Sequence, residues 1–359
     1  MRFEPFLLEE WLLRCRGACI DMDRSGAPEP YEEGFRPKVN DWEIDEFEAE
    51  ERLYEAISRA YGAERSKIAL TPGAQAANYA LYESCFSRKD MGLIEEPTYA
   101  PMRACTKAFF SAFGMVPRKK ENDFSPDIEV LERDLKKGAK VVSLTNLHNP
   151  SGKRIDDEEM RAIIEVAEEQ EAFVLVDEVY REMCYSRPPR SAFLLGDNCV
   201  ITNGMSKLFG LGKLRVGWLI GPEEVAKRVN ESRLYSSWRL PSRSMEIAIA
   251  ALERKDWFRE RVLRISSRNL PLIRDWAEDS GLEITEPDGG LHLLLHLPAG
   301  LDDEVFAQRL LRHRSTAVCP GRYFGIPGSV RMTFSLEGQE LSQGLENILH
   351  VLRSSDSRS

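Results

Sequence analysis

CVITNGMSKLFGLGKLRVGW, residues 199–218, sets two short apolar runs, CVITNG (199–204) and LRVGW (214–218), on either side of a glycine-broken loop. Runs this short and this apolar, punctuated by Gly, read as buried strands rather than as one face of a helix. The loop holds Lys207, and Arg215, eight positions on, lies in LRVGW, where the second strand begins. If the chain doubles back between the two runs, both side chains face one site. The same kind of run recurs upstream in KIALT (67–71), MGLIEEP (91–97), KVVSLTN (140–146) and AFVLVDE (172–178). Helical spacing fills the gaps: AEERLYEAISRAYG (49–62) closes at Gly62, AQAANYALYESCF (74–86) follows, and DDEEMRAIIEVAEEQ (156–170) is a charged amphipathic helix. Apolar strands separated by helices predict an α/β fold, a mostly parallel sheet covered by helices on both faces.

Beyond about residue 245 the character changes. Long helical segments (245–281) lead to GGLHLLLHLP (289–298), a helix from Asp302, the strand VRMTFS (330–335) and a closing helix. This predicts a large domain over 46–245 and a smaller α+β domain made of 1–45 and 246–352, with a disordered tail over 353–359.

Composition narrows the class of function. The 359 residues carry 42% apolar side chains, enough for a sizeable core, and a formal charge of -10 with basic and acidic residues interspersed. Nucleic-acid binding needs clustered Lys and Arg, so a nucleic-acid partner is not expected. No apolar run approaches the ~20 residues of a membrane span. The seven cysteines make no CxxC pair, and scattered thiols in odd number suit a reducing, cytoplasmic setting. The five histidines have no metal-ligand spacing, so no metal is expected.

Polar residues follow the strands, where open α/β sheets bind ligands. In KIALTPGAQAAN a strand passes through Pro72 and Gly73 into a helix, so the amides of Ala74 and Gln75 can meet an anion; the same junction also occurs as plain architecture. Asn149, in NPSG, ends a strand, where an Asn also serves simply to satisfy its own loop. Asp177 closes four apolar residues and calls for a cation or a strong donor, although a helix N-cap would satisfy it too. A lysine such as Lys207 can act as a nucleophile and hold an aldehyde as a Schiff base, and Arg215 suits a phosphate dianion.

Taken in order, TPGAQAAN, EEPTYA, NPSG, DEVY, SKLFGLGKLRVGW and VRMTFS resemble the pyridoxal-phosphate-dependent aminotransferases of fold type I, class I/II, over roughly residues 20–352. The resemblance implies a Schiff base and proton shuttle at Lys207, and Asp177 on the ring nitrogen of pyridoxal 5'-phosphate. Asn149 and Tyr180 would reach the ring oxygen, and Tyr99 the ring face. The phosphate would fall to Gly73, Ala74, Gln75, Ser206 and Arg215. Arg331 would clamp the substrate carboxylate, with Gly26 lining the substrate pocket. It also implies a homodimer. Two positions depart from the family, Gly204 and Ala74, where members often carry phosphate-binding hydroxyls; Gln75, Asn203 or Ser206 are the candidate replacements. Trp42 stands near a position where many members have a Tyr that reaches the partner's phosphate.

The expected reaction is transamination, from aspartate or a similar donor to a 2-oxo acid such as 2-oxoglutarate. Arg233, Arg239 and Arg243 are candidates for a distal carboxylate. A β-lyase or amino-acid cyclase of capreomycidine-synthase type uses the same frame, and a catalytically silent binding module is the reading from a different class.

Overall fold

The computed structural model describes residues 3–39 and 44–356; Trp42 lies outside the described residues. Helix α1 (Leu7–Arg14) and strand β1 (Ile20–Asp21) precede α2 (Glu46–Tyr61). Both ends of α2 are written in its sequence: the Asp45 carboxylate accepts from the amides of Phe47 and Glu48, and Gly62 closes the last turn in the left-handed conformation.

Strands and helices then alternate as β2 (Ile68–Thr71), α3 (Ala74–Cys85), β3 (Met91–Glu96), α4 (Ala100–Phe109), β4 (Ala112–Pro117), α5 (Ile128–Leu135), β5 (Ala139–Thr145), α6 (Asp157–Glu168), β6 (Phe173–Asp177), β7 (Cys199–Gly204) and β8 (Gly217–Ile220). They form one seven-stranded sheet, ordered β2-β8-β7-β6-β5-β3-β4, in which only the two pairs involving β8 are antiparallel. The mostly parallel α/β sheet read from the sequence is the one that forms. Strand β4 (AFGMVP) escaped that reading although its stretch is apolar; it is an edge strand on which Phe113 and Met115 are exposed.

The sheet interior is dry. Every residue of β7 and β8 is buried, and at full burial each Val, Leu or Ile contributes about 1.5–3 kcal/mol. Registry then brings polar residues together at the carboxyl ends of the central strands: Thr145 pairs with Asp177, and Asp177 with Thr202.

The remainder comprises α7 (Glu223–Ser236), α8 (Ser242–Leu252), α9 (Lys255–Ser280), β9 (Glu283–Thr285), β10 (His292–His296), α10 (Asp303–Arg314), β11 (Thr316–Ala317), β12 (Cys319–Pro320), β13 (Ser329–Thr333) and α11 (Gly338–Asp356). Strands β12, β13, β10 and β9 make an antiparallel sheet, and β1 pairs in parallel with β11, which fastens the N-terminal segment to this part of the chain. Helix α8 packs on α2 and runs unbroken through position 245. The tail expected to be disordered from 353 is instead helical as far as Asp356, because α11 buries Leu341, Leu345, Ile348, Val351 and Leu352 along one face. No helix among the described residues is long and apolar enough to cross a membrane.

Candidate active site

The acid end of the site lies beyond β6. Asp177 is buried, and its Oδ2 accepts from Asn78 Nδ2 at 2.9 Å while Oδ1 accepts from the Val179 amide at 3.2 Å. Burial pushes this carboxyl above its ordinary range; the Asn78 and Val179 hydrogen bonds and the charge of Lys207 pull it back. Asn78 Oδ1 in turn accepts from Thr202 Oγ1 at 2.7 Å.

Lys207 projects from the β7–β8 loop. Its Nζ donates to Ser25 Oγ at 2.8 Å and lies 5.3 Å from the centre of the Tyr180 ring. The Tyr180 hydroxyl is buried without a hydrogen-bond partner among the described residues, and the ring meets His292 edge-on at 5.1 Å. Burial, followed by the charges of Arg331 and Lys207, holds His292 well below the usual imidazole range, so it stands there neutral. Tyr99, half-buried at the start of α4, has its phenol pushed up by burial and makes an edge contact with Phe6.

Arg331 comes from β13 and is only 3% exposed. Its Nη1 donates to Asn149 Oδ1 at 3.1 Å and its Nη2 to the Asp23 carbonyl at 2.9 Å; the guanidinium lies over the Phe324 ring, and Nε has no partner among the described residues. A carboxylate-binding candidate, a ring-oxygen candidate and the N-terminal segment thus meet, although they stand more than a hundred positions apart in sequence.

The candidate phosphate cup is built largely of backbone. Gly73 begins α3 with φ 101°, no side chain caps the helix, and a Cβ at Gly73 would come 2.7 Å from Arg215 Nη2. Arg215 itself donates to the Pro72 carbonyl at 2.8 Å. The loss of a hydroxyl at Gly204 has a steric counterpart: a Cβ there would lie 2.9 Å from the Val216 carbonyl and 3.4 Å from the Ala74 amide. Asn203, one of the candidate replacements, points away from the cup. Its Nδ2 faces Tyr61 and Glu182 and its Oδ1 accepts from the Gly204 amide, because alternate residues of a strand face opposite sides of the sheet. Ser206 packs against Gly212 inside the loop that carries Arg215. Gln75 has a buried Oε1 with no partner among the described residues and opens onto a cavity of about 590 Å³ that Tyr79 and Ala100 also line.

A second cavity of about 590 Å³ brings together Gly26, Ser206, Lys207 and Arg331 with Asp21, Asp23, Arg16 and Arg24. Gly26 is pressed against the lysine segment: a Cβ would lie 2.9 Å from the Ser206 carbonyl, and the Ala27 amide donates to the Lys207 carbonyl at 2.8 Å. Two of the three distal-cation candidates are already paired away from this cavity: Arg233 binds Glu50 through both terminal nitrogens, and Arg239 Nη1 lies 3.1 Å from the same carboxylate. Sequence reading missed Asn78, Thr202, Ser25 and Asp23. Asn78 sits inside a helical pattern and Thr202 inside an apolar strand, so only the alternation of faces hinted at either.

These donors fit a phosphorylated pyridine aldehyde. An amine is at hand for the carbonyl, a buried carboxylate for the ring nitrogen, an orphaned phenol for the ring oxygen, and an uncapped helix end beside a guanidinium for the phosphate.

The aminotransferase class I and II family model matches residues 44–348, and the chain belongs to that family. It is a pyridoxal-phosphate-dependent aminotransferase with the type I fold. Among relatives, aspartate aminotransferase of Pyrococcus horikoshii is 24% identical over 85% of this chain and 81% of its own. Capreomycidine synthase of Streptomyces vinaceus is 26% identical over 84% of this chain and 79% of its own. A PLP-dependent aminotransferase from Streptococcus suis superposes with a TM-score of 0.89 over 99% of both chains, at 25% identity.

Proposed function

We propose that the enzyme moves the amino group of an L-amino acid, aspartate or a similar donor, to a 2-oxo acid such as 2-oxoglutarate, with Lys207 as the residue that holds the cofactor and carries the proton. The observation that bears most weight is the Lys207 amine, held by Ser25 beside the Tyr180 ring and opening into the same cavity as Arg331. Pyridoxal phosphate, when bound, supplies a conjugated ring that draws electrons from the substrate Cα.

The residues divide the remaining work. Asp177 keeps the ring nitrogen protonated, Tyr180 and Asn149 hydrogen-bond the ring oxygen, and Tyr99 covers the ring face. Arg215, with Gly73, Ala74, Gln75 and Ser206, holds the phosphate. Arg331 would bind the substrate α-carboxylate beside Gly26, and the Lys207 amine would hold the cofactor and carry the proton taken from the substrate Cα. Aspartate is favoured by the names of several relatives, and a distal carboxylate would find Arg16 on the cavity wall, where Arg24 is already paired with Asp21 at 2.5 Å. A homodimer is proposed from the family; a monomer by light scattering that is fully active would contradict it.

One experiment tests the reaction. The loaded, yellow protein should lose its colour on addition of L-aspartate and regain it with 2-oxoglutarate; colour retained with every amino acid in a panel overturns transamination. Likeness to capreomycidine synthase motivates the second reading, a lyase or cyclase. That reading predicts release of pyruvate or a cyclic product with no amino group passed to the 2-oxo acid.

A further inference from the structure

A chain of buried polar side chains ends on Asp177. Strands β6 and β7 set Asp177 and Thr202 in register, and α3 lowers Asn78 onto both; Asn78 and Thr202 have no exposed surface. An ionised carboxylate only accepts hydrogen bonds, so the Asn78 group facing it, at 2.9 Å, is the NH2. Its Oδ1 is then left for a donor, and the Thr202 hydroxyl supplies one at 2.7 Å. A flip of the amide would set Oδ1 against the carboxylate and the NH2 against the hydroxyl. The carboxylate therefore selects the end of Asn78 that faces it, and the Thr202 hydroxyl holds the amide there by donating to the end left over. Among the influences opposing the burial of Asp177, the Asn78 hydrogen bond is the largest, ahead of the Val179 amide and the charge of Lys207.

We propose that Thr202 and Asn78 are positioning residues that fix the orientation and charge of Asp177, and through it the grip on the cofactor ring nitrogen. The inference rests on the reading of Asp177 given above. It adds two residues, neither of which reaches the cofactor itself, and makes their order matter: Thr202 acts through Asn78.

The test is an absorbance titration of cofactor-stripped protein with pyridoxal phosphate across pH, for the parent and for Asn78→Ala, Thr202→Val, Thr202→Ser and Asp177→Asn. A hydrogen bond to a buried charged group corresponds to a change of about tenfold or more in affinity. Asn78→Ala and Thr202→Val should each weaken binding by about that factor, and the acid limb of the affinity profile should move to higher pH, because an Asp177 deprived of its donor takes up a proton sooner. Thr202→Ser keeps the hydroxyl and should restore both. Thermal denaturation of the stripped protein separates this from a merely structural role, which would lower Tm and leave the acid limb in place. Thr202→Val removes only the hydroxyl and leaves Asn78 Oδ1 without its donor, and Thr202→Ser, which keeps the hydroxyl, guards against failure of the other variants to fold. Parent-like affinity and acid limb in Asn78→Ala and Thr202→Val, with binding lost in Asp177→Asn, would overturn the relay and leave the Asp177 reading intact. Parent-like binding in Asp177→Asn would remove that reading and the relay with it.

Discussion

Around Asp177 the contacts of the site are made by buried side chains, whereas around Arg215, on the exposed loop, they are made by backbone and by the space that glycine leaves. At the acid end, Asp177, Asn78 and Thr202 come from three different elements and each presents one chosen atom. At the end proposed for the phosphate, Gly73 and Gly204 leave space, because a Cβ at either would meet a neighbour at 2.7 or 2.9 Å. The first region is broken by removing atoms and the second by adding them.

The largest expected effect is at the lysine that joins the two regions. Lys207→Ala should lower kcat by about 10²–10⁴, the usual worth of a positioned proton carrier, with phosphate-end contacts still giving some cofactor binding. Steady-state transamination near the parent rate would take Lys207 out of the chemistry. Next is Arg331→Ala. It removes charge-assisted hydrogen bonds worth about 1.5–3 kcal/mol and should raise KM for the amino acid by about 10- to 100-fold, and an unchanged KM would assign the α-carboxylate to another cation.

Gly73→Ala sharpens the contrast at the other end. A side chain at φ 101° is strained by about 1–3 kcal/mol and displaces the Arg215 fork, so both cofactor affinity and Tm should fall. Parent-like affinity would mean that the space at Gly73 is not needed by the phosphate.

The smallest effect concerns pH. Burial, then the hydrogen bond and charge of Asp21, push the Asp23 carboxyl up to about 8. In the unfolded chain Asp titrates near 4, so the fold holds this proton more tightly. The stabilisation is fully present below about pH 4 and is lost as pH rises through about 8. Asp23→Asn should therefore flatten the fall of Tm over that window, and an unchanged slope would assign the fall to other groups.

How much of this was legible depended on where a residue lies along its strand. Asp177, Asn149 and Lys207 follow the apolar runs of β6, β5 and β7, and strand ends are where a parallel sheet gathers polar groups, so reading them needed no contacts. Asn203 shows the limit. It too follows an apolar run, but it faces the reverse of the sheet, where Tyr61 and Glu182 take its amide. Which face an individual residue takes depends on registry set by neighbouring strands, and β8, the antiparallel neighbour of β7, announced itself only as a short run after a loop. Arg233 and Arg239 show the same limit for charge, since Glu50 on α2 claims both, and nothing in their own stretch points to it.

The sequence by itself determined the alternation of strands and helices, the stop of α2 at Gly62, and which polar side-chain types follow the strands, because these follow from periodicity, local hydrogen bonding and side-chain type. Tertiary structure alone decided that Thr202 and Asn78 stand behind Asp177, that Ser25 and Asp23 from the N-terminal segment reach Lys207 and Arg331, and that Gly204 has no room for a hydroxyl. Those outcomes turn on distances of 2.7–3.1 Å between residues far apart in the chain. Packing sets such distances through the summed fit of many neighbours, and no local stretch encodes them.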